Sequence, residues 1–590
     1  MAESVPLPER LSGGNFLLAD TNPSEVFTPE NLAPEVREMA TTAEKFMDKE
    51  VLPQIEALEH LEEGLLVKLF KKAGELGLFT VETPEKYDGL GLGKTAGIGV
   101  NQQFSRLPGF GITCNVHVGI GGQPLVQFGT EEQKKKYIPK LMTGEWMAAY
   151  CLSETSSGSD ALGMRARAVL TPDGKHYILD GVKMWITNAA WADLFTVFAK
   201  VEGKGVTAFL VERSYPGVSL GKEEHKLGLK SSSTRRVILD DVKVPVENVL
   251  GEVGKGAYIA FNALNFGRLC LGAGIIGASK DQIRFSARYA MERHQFGQPL
   301  ASFGLIQQKL ASMAVKVFAA DSAMYRTAGL IDEMFDTGLK MDIMNPPFPR
   351  AMDEFALECS LIKVRCSEIQ FEVADESIQI HGGYGFTEEF PAARALRDSR
   401  INRIFEGTNE INRIFVPDLL RKREQRNRFP LSNKIASVLK ELPAFTPPAR
   451  SNDNLENAKS LLAGAKKMFF FLCDRALKAK AYDEQEVRAA LSDVLTDVYF
   501  GESAVLRALA TRSRGAQNTL QADLALLFVN DSVSRMEAGA RLILQVCTAA
   551  ADFESDLAQA RRLLTWPAIN PVPIRQNISK QICDRGGYPV

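Results

Sequence analysis

The hydrophobic positions of this chain recur at two different periods, and the switch between them divides it. From Pro34 to Leu78, the runs EVREMATTAEKFMDKEV and EEGLLVKLFKKAGELG carry apolar residues three and four apart, which predicts amphipathic helices. Helical patterning continues, with glycine interruptions, through EEQKKKYIPKLMTG at 131–144. Over 165–250 the character changes to short β-rich runs, HYILDGVKMWITN, LFTVFAKV, GVTAFLVER and RRVILDDVKV, broken by turn signals such as PDG. This stretch predicts a compact antiparallel β domain. Long helices resume at about Ala257 and run to about Lys422, with MFDTGLKMDIMNPPFPRAMDE (334–354) as the loop between two of them. A basic segment, RKREQRNRFP (421–430), and a Pro-rich one, LPAFTPPARSNDN (442–454), predict a linker before a last helical block over 455–575.

The expected order is therefore an N-terminal arm (1–33), a helical domain (34–148), a middle β domain (149–255), a helical bundle (256–428), a linker (429–454) and a C-terminal helical extension (455–590). The class is mainly α with a central β domain. No βαβ alternation is present, which argues against a Rossmann domain, and no repeat of fixed period is found. At 590 residues the chain is too long for one core.

Composition narrows the function classes. Apolar (45%) and charged (24%) shares are those of an ordinary soluble protein. A formal net charge of −2 supplies no field that would draw nucleic acid or acidic lipid. Eight cysteines without a CxxC pair fit reduced thiols, and the six histidines show no metal-ligand spacing. The start, MAESVPLPERLSGGNF, lacks a signal or transit plan, and no apolar run approaches 18 residues. The expected location is a bacterial-type cytoplasm.

Three motifs are read as decoys. GAGIIG (272–277) matches GxGxxG but lies inside a helical pattern with no preceding strand, so close helix packing explains it better than a nucleotide. DGLGLGKT (88–95) ends like a Walker loop, yet Asp88 stands where its first glycine belongs, which leaves a mobile glycine loop. The basic run 421–428 has no aromatic interleaving and reads as a solvated linker or subunit contact. His381, in a glycine loop, reads as a structural residue.

Four separated stretches carry the candidate chemistry: YCLSETSSGSD (150–160), KMWITN (183–188), ERHQFGQPL (292–300) and QIHGGYGF (379–386), the last leading to RIFEGTNEINR (403–413). In RIFEGTNEINR a carboxylate, Glu406, follows the bulky pair Ile404 and Phe405 and precedes Gly407 and Thr408. Either it is a surface acid at a helix boundary or it is a carboxylate kept dry. In order and spacing the stretches together resemble the acyl-CoA dehydrogenase family over residues 35–425. That family oxidises an acyl thioester to its 2-enoyl form. A saturated C–C bond is a poor hydride donor to nicotinamide, so a flavin must accept the hydride. The weakly acidic α-proton needs a carboxylate whose pKa is raised by desolvation, and donors that polarise the thioester carbonyl.

The resemblance implies FAD as cofactor and Glu406 as the base. Gly267 occupies the position where other members carry an alternative base, which leaves Glu406 without a competitor. By the same resemblance, Tyr150, Leu152 and Ser153 approach the flavin ring, with Gly158 and Ser159 in the turn beside it. Trp185, Ile186 and Thr187 cover its other side, Thr187 facing the N5 edge. Arg293, Gln295 and Phe296 meet the pyrophosphate region across a subunit interface. Gln379, Gly382 and Gly383 meet the adenosine end, and Thr408 and Glu410 fall at further cofactor positions. Asn265 and Arg268 receive the CoA portion, with Ser159, Glu406 and Gly407 also on the substrate side; the Glu406 N–H and a ribityl hydroxyl polarise the carbonyl.

The C-terminal extension, NFGR and FGLIQQKL (303–310) resemble the very-long-chain branch. This implies long-chain acyl-CoA substrates, a homodimer, and an electron-transfer flavoprotein as partner, with HVGIGGQP (117–124) leaving room at the pocket base. AKKMFFFLCDRALKAKA (465–481) reads as a core helix with a basic face, or as a peripheral membrane contact. A same-fold acyl-CoA oxidase, a dehydrogenase of shorter or branched chains, and a non-catalytic scaffold are the competing readings.

Overall fold

The computed structural model describes residues 9–336, 347–515 and 519–590. In the N-terminal part, helices α1 (Pro34–Phe46), α2 (Leu65–Glu75), α3 (Gly93–Phe104), α4 (Pro108–Val116) and α5 (Glu131–Met142) enclose a core that includes Phe46, Phe70, Phe79, Phe104 and Phe110. Helix α5 starts where the sequence signals it: Thr130 and Gln133 form a reciprocal capping box.

The middle region is a sheet of strands β1 (Ala148–Cys151), β2 (Arg167–Leu170), β3 (His176–Thr187), β4 (Leu194–Val201), β5 (Gly205–Glu212), β6 (Val218–Leu220), β7 (Thr234–Pro245) and β8 (Val249–Leu250). The order is β6-β7-β3-β2-β4-β5-β8, with β1 also on β4. The sheet is mixed rather than antiparallel. Both β1 and β2 run parallel to β4, β1 along Leu194–Val197 and β2 at Lys200–Val201. Two short strands thus share one edge of β4 end to end, and the chain between them, 152–166, leaves the sheet. Each is four residues long with little alternation, so the sequence period does not show it.

The bundle is built on α6 (Gly256–Glu292), α7 (Gly304–Asp336), α8 (Ala356–His381) and α9 (Asn409–Gln425). By length and composition α6 is apolar enough to cross a membrane, but most of that stretch is buried inside the protein. The glycines of GAGIIG lie within it and serve close packing. A Cβ at Gly272 would sit 2.6 Å from Ile362, and one at Gly277 2.0 Å from the Gln102 carbonyl oxygen. Of the expected loop at 334–354, residues 337–346 lie outside the described residues, and Pro347–Glu354 is helical. Prolines in its first turn are tolerated there, and Ala351 and Met352 face the core.

DGLGLGKT is anchored rather than mobile. The α3 N-terminus donates from the Lys94 and Thr95 amides to the Asp332 carboxylate at 2.6 and 2.9 Å, and Lys94 pairs with Glu82. An acidic side chain of α7 thus occupies the anion position of that helix end.

Helices α10 (Asn454–Lys478), α11 (Gln485–Ser513), α12 (Thr519–Cys547) and α13 (Pro571–Arg585) form the extension. Its apolar core is continuous with that of the bundle, one cluster reaching from Phe266 to Ile582. Phe469, Phe470 and Phe471 are all buried in it, so the aromatic run of 465–481 belongs to the core. The expected linker is also structured. Leu431–Glu441 is a helix burying Leu431, Ile435 and Val438. Of the basic run, Arg423 is an internal anchor that donates to the Gly13 carbonyl at 2.6 Å and to that of Asp353 at 3.1 Å. Charge patterning cannot distinguish a solvated arginine from one that ties a distant arm.

Arg507 of α11 is the strongest such tie. Buried, it reaches Glu30 of the arm at 2.7 Å and Asp321 of α7 at 3.2 Å. Removing one member of a buried ion network leaves charge uncompensated, at a cost of about 3–5 kcal/mol. Arg507→Met is expected to lower the urea unfolding midpoint accordingly and to make the arm more sensitive to protease, while Arg512→Met, at an exposed pair, leaves both unchanged.

Candidate functional site

The segment that raised the question in the sequence is a tight turn between a 3-10 turn, Ile401–Arg403, and α9. Ile404 is largely exposed and Phe405 packs on the bundle core. Glu406 (φ +57°) and Gly407 (φ +80°) are both left-handed. Glycine adopts this freely; for the glutamate it costs about 1–2 kcal/mol. Thr408 ends the turn as N-cap of α9, its Oγ1 accepting from the Ile411 amide at 3.2 Å.

Three side chains from three elements hold that main chain. Arg268 of α6 donates through Nε to the Glu406 carbonyl at 3.1 Å. Lys363 of α8 donates to the Gly407 carbonyl at 2.7 Å and to Asn409 Oδ1 at 2.8 Å. Asn412 of α9 donates to the carbonyls of Gly407 and Thr408 at 2.8 and 3.0 Å.

The carboxyl itself points inward against Gly267. A Cβ at 267 would lie 2.5 Å from Glu406 Oε2, so only glycine leaves the space. Oε2 is buried and has no hydrogen-bond partner. Burial raises the Glu406 pKa to about 7, against the pull of Arg268 and Lys363 in the other direction. The carboxylate is therefore a base that ionises near neutrality and has a lone pair to spare.

The two β-domain motifs meet beside it. The loop 152–166 leaves the sheet where β1 gives way to β2, and the Met184 amide of β3 donates to the Ser153 carbonyl at 2.9 Å. The β3–β7 register shifts between Lys183 and Ile186, and Trp185 at the bulge has φ +58°. The bulge turns Trp185 outward, 57% exposed, while Ile186 stays buried and Thr187 half-buried. Underneath, the buried pair Lys183–Glu154, at 2.7 Å, pins loop to strand, and Glu154 also accepts from the Arg165 and Ala166 amides. Sequence reading passed over this pair, although both residues stand inside the quoted motifs. Tyr150 and Leu152 are buried, the Tyr150 hydroxyl donating to the Ala260 carbonyl of α6 at 3.3 Å. Gly158 and Ser159 are exposed, with open space where a Cβ at 158 would stand.

The second group of expected cofactor residues lies elsewhere. Arg293 caps α6 26 residues after Gly267, about 39 Å along the axis at 1.5 Å per residue. From there β9 (His294–Gln295) and β10 (Gln298–Pro299) form a hairpin whose two tip residues, Phe296 and Gly297, are both left-handed. Phe296 is 93% exposed at that tip. Gln379, Gly382 and Gly383, at the end of α8, are exposed nearby, the Arg293 guanidinium lying 5.7 Å from the Tyr384 ring centroid. The fold thus joins the two β-domain motifs to each other, puts Tyr150 within electrostatic reach of Glu406, and sets Arg293, Gln295, Phe296, Gln379, Gly382 and Gly383 at the far ends of α6 and α8. The exposed ring of Trp185, the open space at Gly158 and the unpartnered Oε2 fit a planar cofactor and a thioester.

Asn265 and Arg268, expected at the CoA portion, are both buried. Arg268 Nη1 donates to Asn265 Oδ1 at 2.8 Å while its Nε holds the Glu406 turn, so these two side chains are engaged inside the protein. Glu410 is exposed on the first turn of α9. His381 is buried, stacks on Tyr289 at 4.3 Å and hydrogen-bonds the Ser377 carbonyl. In HVGIGGQP, Gly119 gives close contact, a Cβ there lying 2.9 Å from the Phe266 ring, while Val118, Gly122 and Gln123 border free space. The free space is next to them, a 40 Å³ cavity whose walls include Phe79, Val100, Phe104, Met142 and Cys270.

Models of the acyl-CoA dehydrogenase N-terminal, middle and C-terminal domains match residues 33–145, 149–242 and 254–418, and a second model of that family's C-terminal domain matches 464–562. A probable acyl-CoA dehydrogenase of Bacillus subtilis is 44% identical over 98% of each chain. The mitochondrial very long-chain specific acyl-CoA dehydrogenase of Mus musculus is 38% identical over 70% of this chain and 62% of its own. The crystal structure of an acyl-CoA dehydrogenase complexed with FAD from Bacillus anthracis superposes with a TM-score of 0.96 at 43% identity, covering 98% of this chain and 100% of that one.

The contact between Gly267 and Glu406 gives a sharp test of the geometry. Gly267→Ala places a methyl group on the carboxyl and is expected to cut kcat at least tenfold with the circular dichroism spectrum and melting temperature retained.

Proposed function

The chain belongs to the acyl-CoA dehydrogenase family of FAD-dependent oxidoreductases, and on that premise we propose that it converts long-chain acyl-CoA to trans-2-enoyl-CoA in fatty-acid β-oxidation, with Glu406 as the base. The observation that carries this reading is the buried, unpartnered Oε2 of a carboxyl whose pKa stands at about 7. FAD, when bound, supplies the two-electron acceptor for the hydride that leaves the β-carbon.

The rest is work for this chain's own residues. Glu406 takes the α-proton onto Oε2, which no protein donor occupies. Arg268, Lys363 and Asn412 fix the main chain of the turn, and with it the direction of the Glu406 N–H, the donor assigned to the thioester carbonyl. Trp185, on its bulge, supplies an aromatic wall, and the Lys183–Glu154 pair keeps the opposing loop at a fixed distance. Gly267 admits the acyl chain beside the carboxyl. Cys270, one turn further along α6, lines the small apolar cavity. Similarity to the very-long-chain enzyme supports a long substrate.

The separation of Arg293, Gln295 and Gly382 from the Glu406 site supports a homodimer in which each copy completes the other's cofactor site. The hairpin tip with exposed Phe296 supplies an apolar contact for it. Electrons then pass to an electron-transfer flavoprotein.

Anaerobic mixing of the FAD-loaded protein with palmitoyl-CoA is expected to bleach the flavin at least tenfold faster than butyryl-CoA does. Equal rates would refute the chain-length preference, and no bleaching by either would refute the reaction. Glu406→Gln should slow bleaching by about 10²–10⁴-fold, the usual share of a positioned base. The base works as the carboxylate and its pKa is raised, so kcat/KM should climb with pH and level off above about 7.

A further inference from the structure

We propose that Lys363 is a positioning residue for Glu406: its ammonium, buried behind the turn, both fixes the turn's main chain and supplies the positive charge that keeps the carboxyl ionisable in a dry site. The assignment rests on the reading of Glu406 as the base.

Lys363 lies in the middle of α8 with no exposed surface. A buried ammonium costs several kcal/mol unless it is paired and hydrogen-bonded, so a helix that needed only packing here would carry leucine or methionine. The acceptors it uses are the Gly407 carbonyl at 2.7 Å and Asn409 Oδ1 at 2.8 Å, the residues that follow the base in sequence. Asn409 is itself held by Ser367 Oγ of α8 at 3.0 Å, so the lysine's second contact is also fixed. The ammonium therefore grips the turn one residue after Glu406 and makes no hydrogen bond to its carboxylate.

The charged groups around it come from every side. Glu406 faces it from the turn, Glu410 from α9 and Glu368 from its own helix, each favouring the ammonium; Arg268 of α6 opposes it. Burial, with Arg268 next, lowers the Lys363 pKa to about 7, while burial raises that of Glu406 to the same value. Two facing groups of opposite charge type are coupled: each favours the charged form of the other. Without Lys363, Arg268 alone among the cations of the described residues acting on Glu406 is left to offset burial, and the carboxyl requires a higher pH to ionise.

The test uses the FAD-loaded full chain and compares the pH dependence of kcat/KM for palmitoyl-CoA in wild type, Lys363→Met and Lys363→Arg. Lys363→Met is expected to move the acid limb up by about one pH unit, which cuts the rate below pH 7 roughly tenfold, with flavin content near wild type. Lys363→Arg restores the charge and should return the limb to within a few tenths of a unit. An acid limb in Lys363→Met that coincides with wild type overturns the charge role. So does a variant that loses kcat equally at all pH values, which marks a packing residue. If Lys363→Met fails to hold FAD, Lys363→Gln, neutral but still a donor, decides by the same criterion. Wild type that palmitoyl-CoA does not reduce would instead sink the reading of the reaction, not of the lysine.

Discussion

The structure depends on burying one carboxyl oxygen, Glu406 Oε2, without neutralising the group. Raising Glu406 from 4.5 to about 7 corresponds to roughly 3 kcal/mol of disfavoured charge, and folding has to supply it. The obvious compensation is a salt bridge, but an Arg or Lys bonded to the carboxylate would pull its pKa back down and occupy the lone pair that chemistry needs. The protein places two cations close by and gives them other acceptors. Arg268 and Lys363 spend their hydrogen bonds on the carbonyls of residues 406 and 407. Their field moderates the penalty at a distance, while their bonds stiffen a turn that contains a left-handed glutamate. Oε2 stays unpartnered as a consequence.

The same economy shapes the sheet. A continuous strand along β4 would seal the face beside the base. Splitting that partner into β1 and β2 lets the chain loop out at 152–166, and the bulge in β3 opposite turns Trp185 the same way. Both irregularities cost ladder hydrogen bonds. The Lys183–Glu154 pair and the Met184–Ser153 hydrogen bond reconnect the two sides below the opening. The length of α6 then decides what one chain can and cannot hold. It carries Gly267 at one part and Arg293 at its end, so the Glu406 turn and the hairpin stand far apart on the same chain.

What was legible in the sequence follows from what has a period or a motif. The longer strands β3, β4, β5 and β7 and the long helices show in the hydrophobic pattern, because each buries one face over several repeats. Strands β1 and β2, four residues each, have no room for a period, and their parallel pairing depends on partners more than 25 residues away. Glu406 was legible because an acid between Phe405 and Gly407 violates ordinary patterning. Lys363 was not: SLIKVRCSEI reads as a helix with one lysine, and only the tertiary structure shows that lysine aimed at a turn 44 residues later. Arg268 was legible as important, but a sequence does not show that its guanidinium also holds the carbonyl of Glu406. Arg423 and the DGLGLGKT loop went astray for a related reason: basic and glycine-rich runs look solvated unless the acidic partner, here Asp332 or a distant carbonyl, is known.

The extension bears on the same turn through α7. That helix packs against α6 and α8, which carry Gly267 and Lys363, and on its other side against α11, α12 and α13. Between apolar helices, a slip of one turn exchanges one set of hydrocarbon contacts for another at modest cost. At this seam the contacts include Arg326 and Lys466 on Glu502, and Arg507 on Asp321 and Glu30, all within the interior. A slip would leave charges buried without partners, at several kcal/mol each. The charges therefore fix the register that the shared hydrophobic core alone leaves open, and a fixed α7 holds α6 and α8 at the spacing where a carboxyl fits against a glycine with nothing between them.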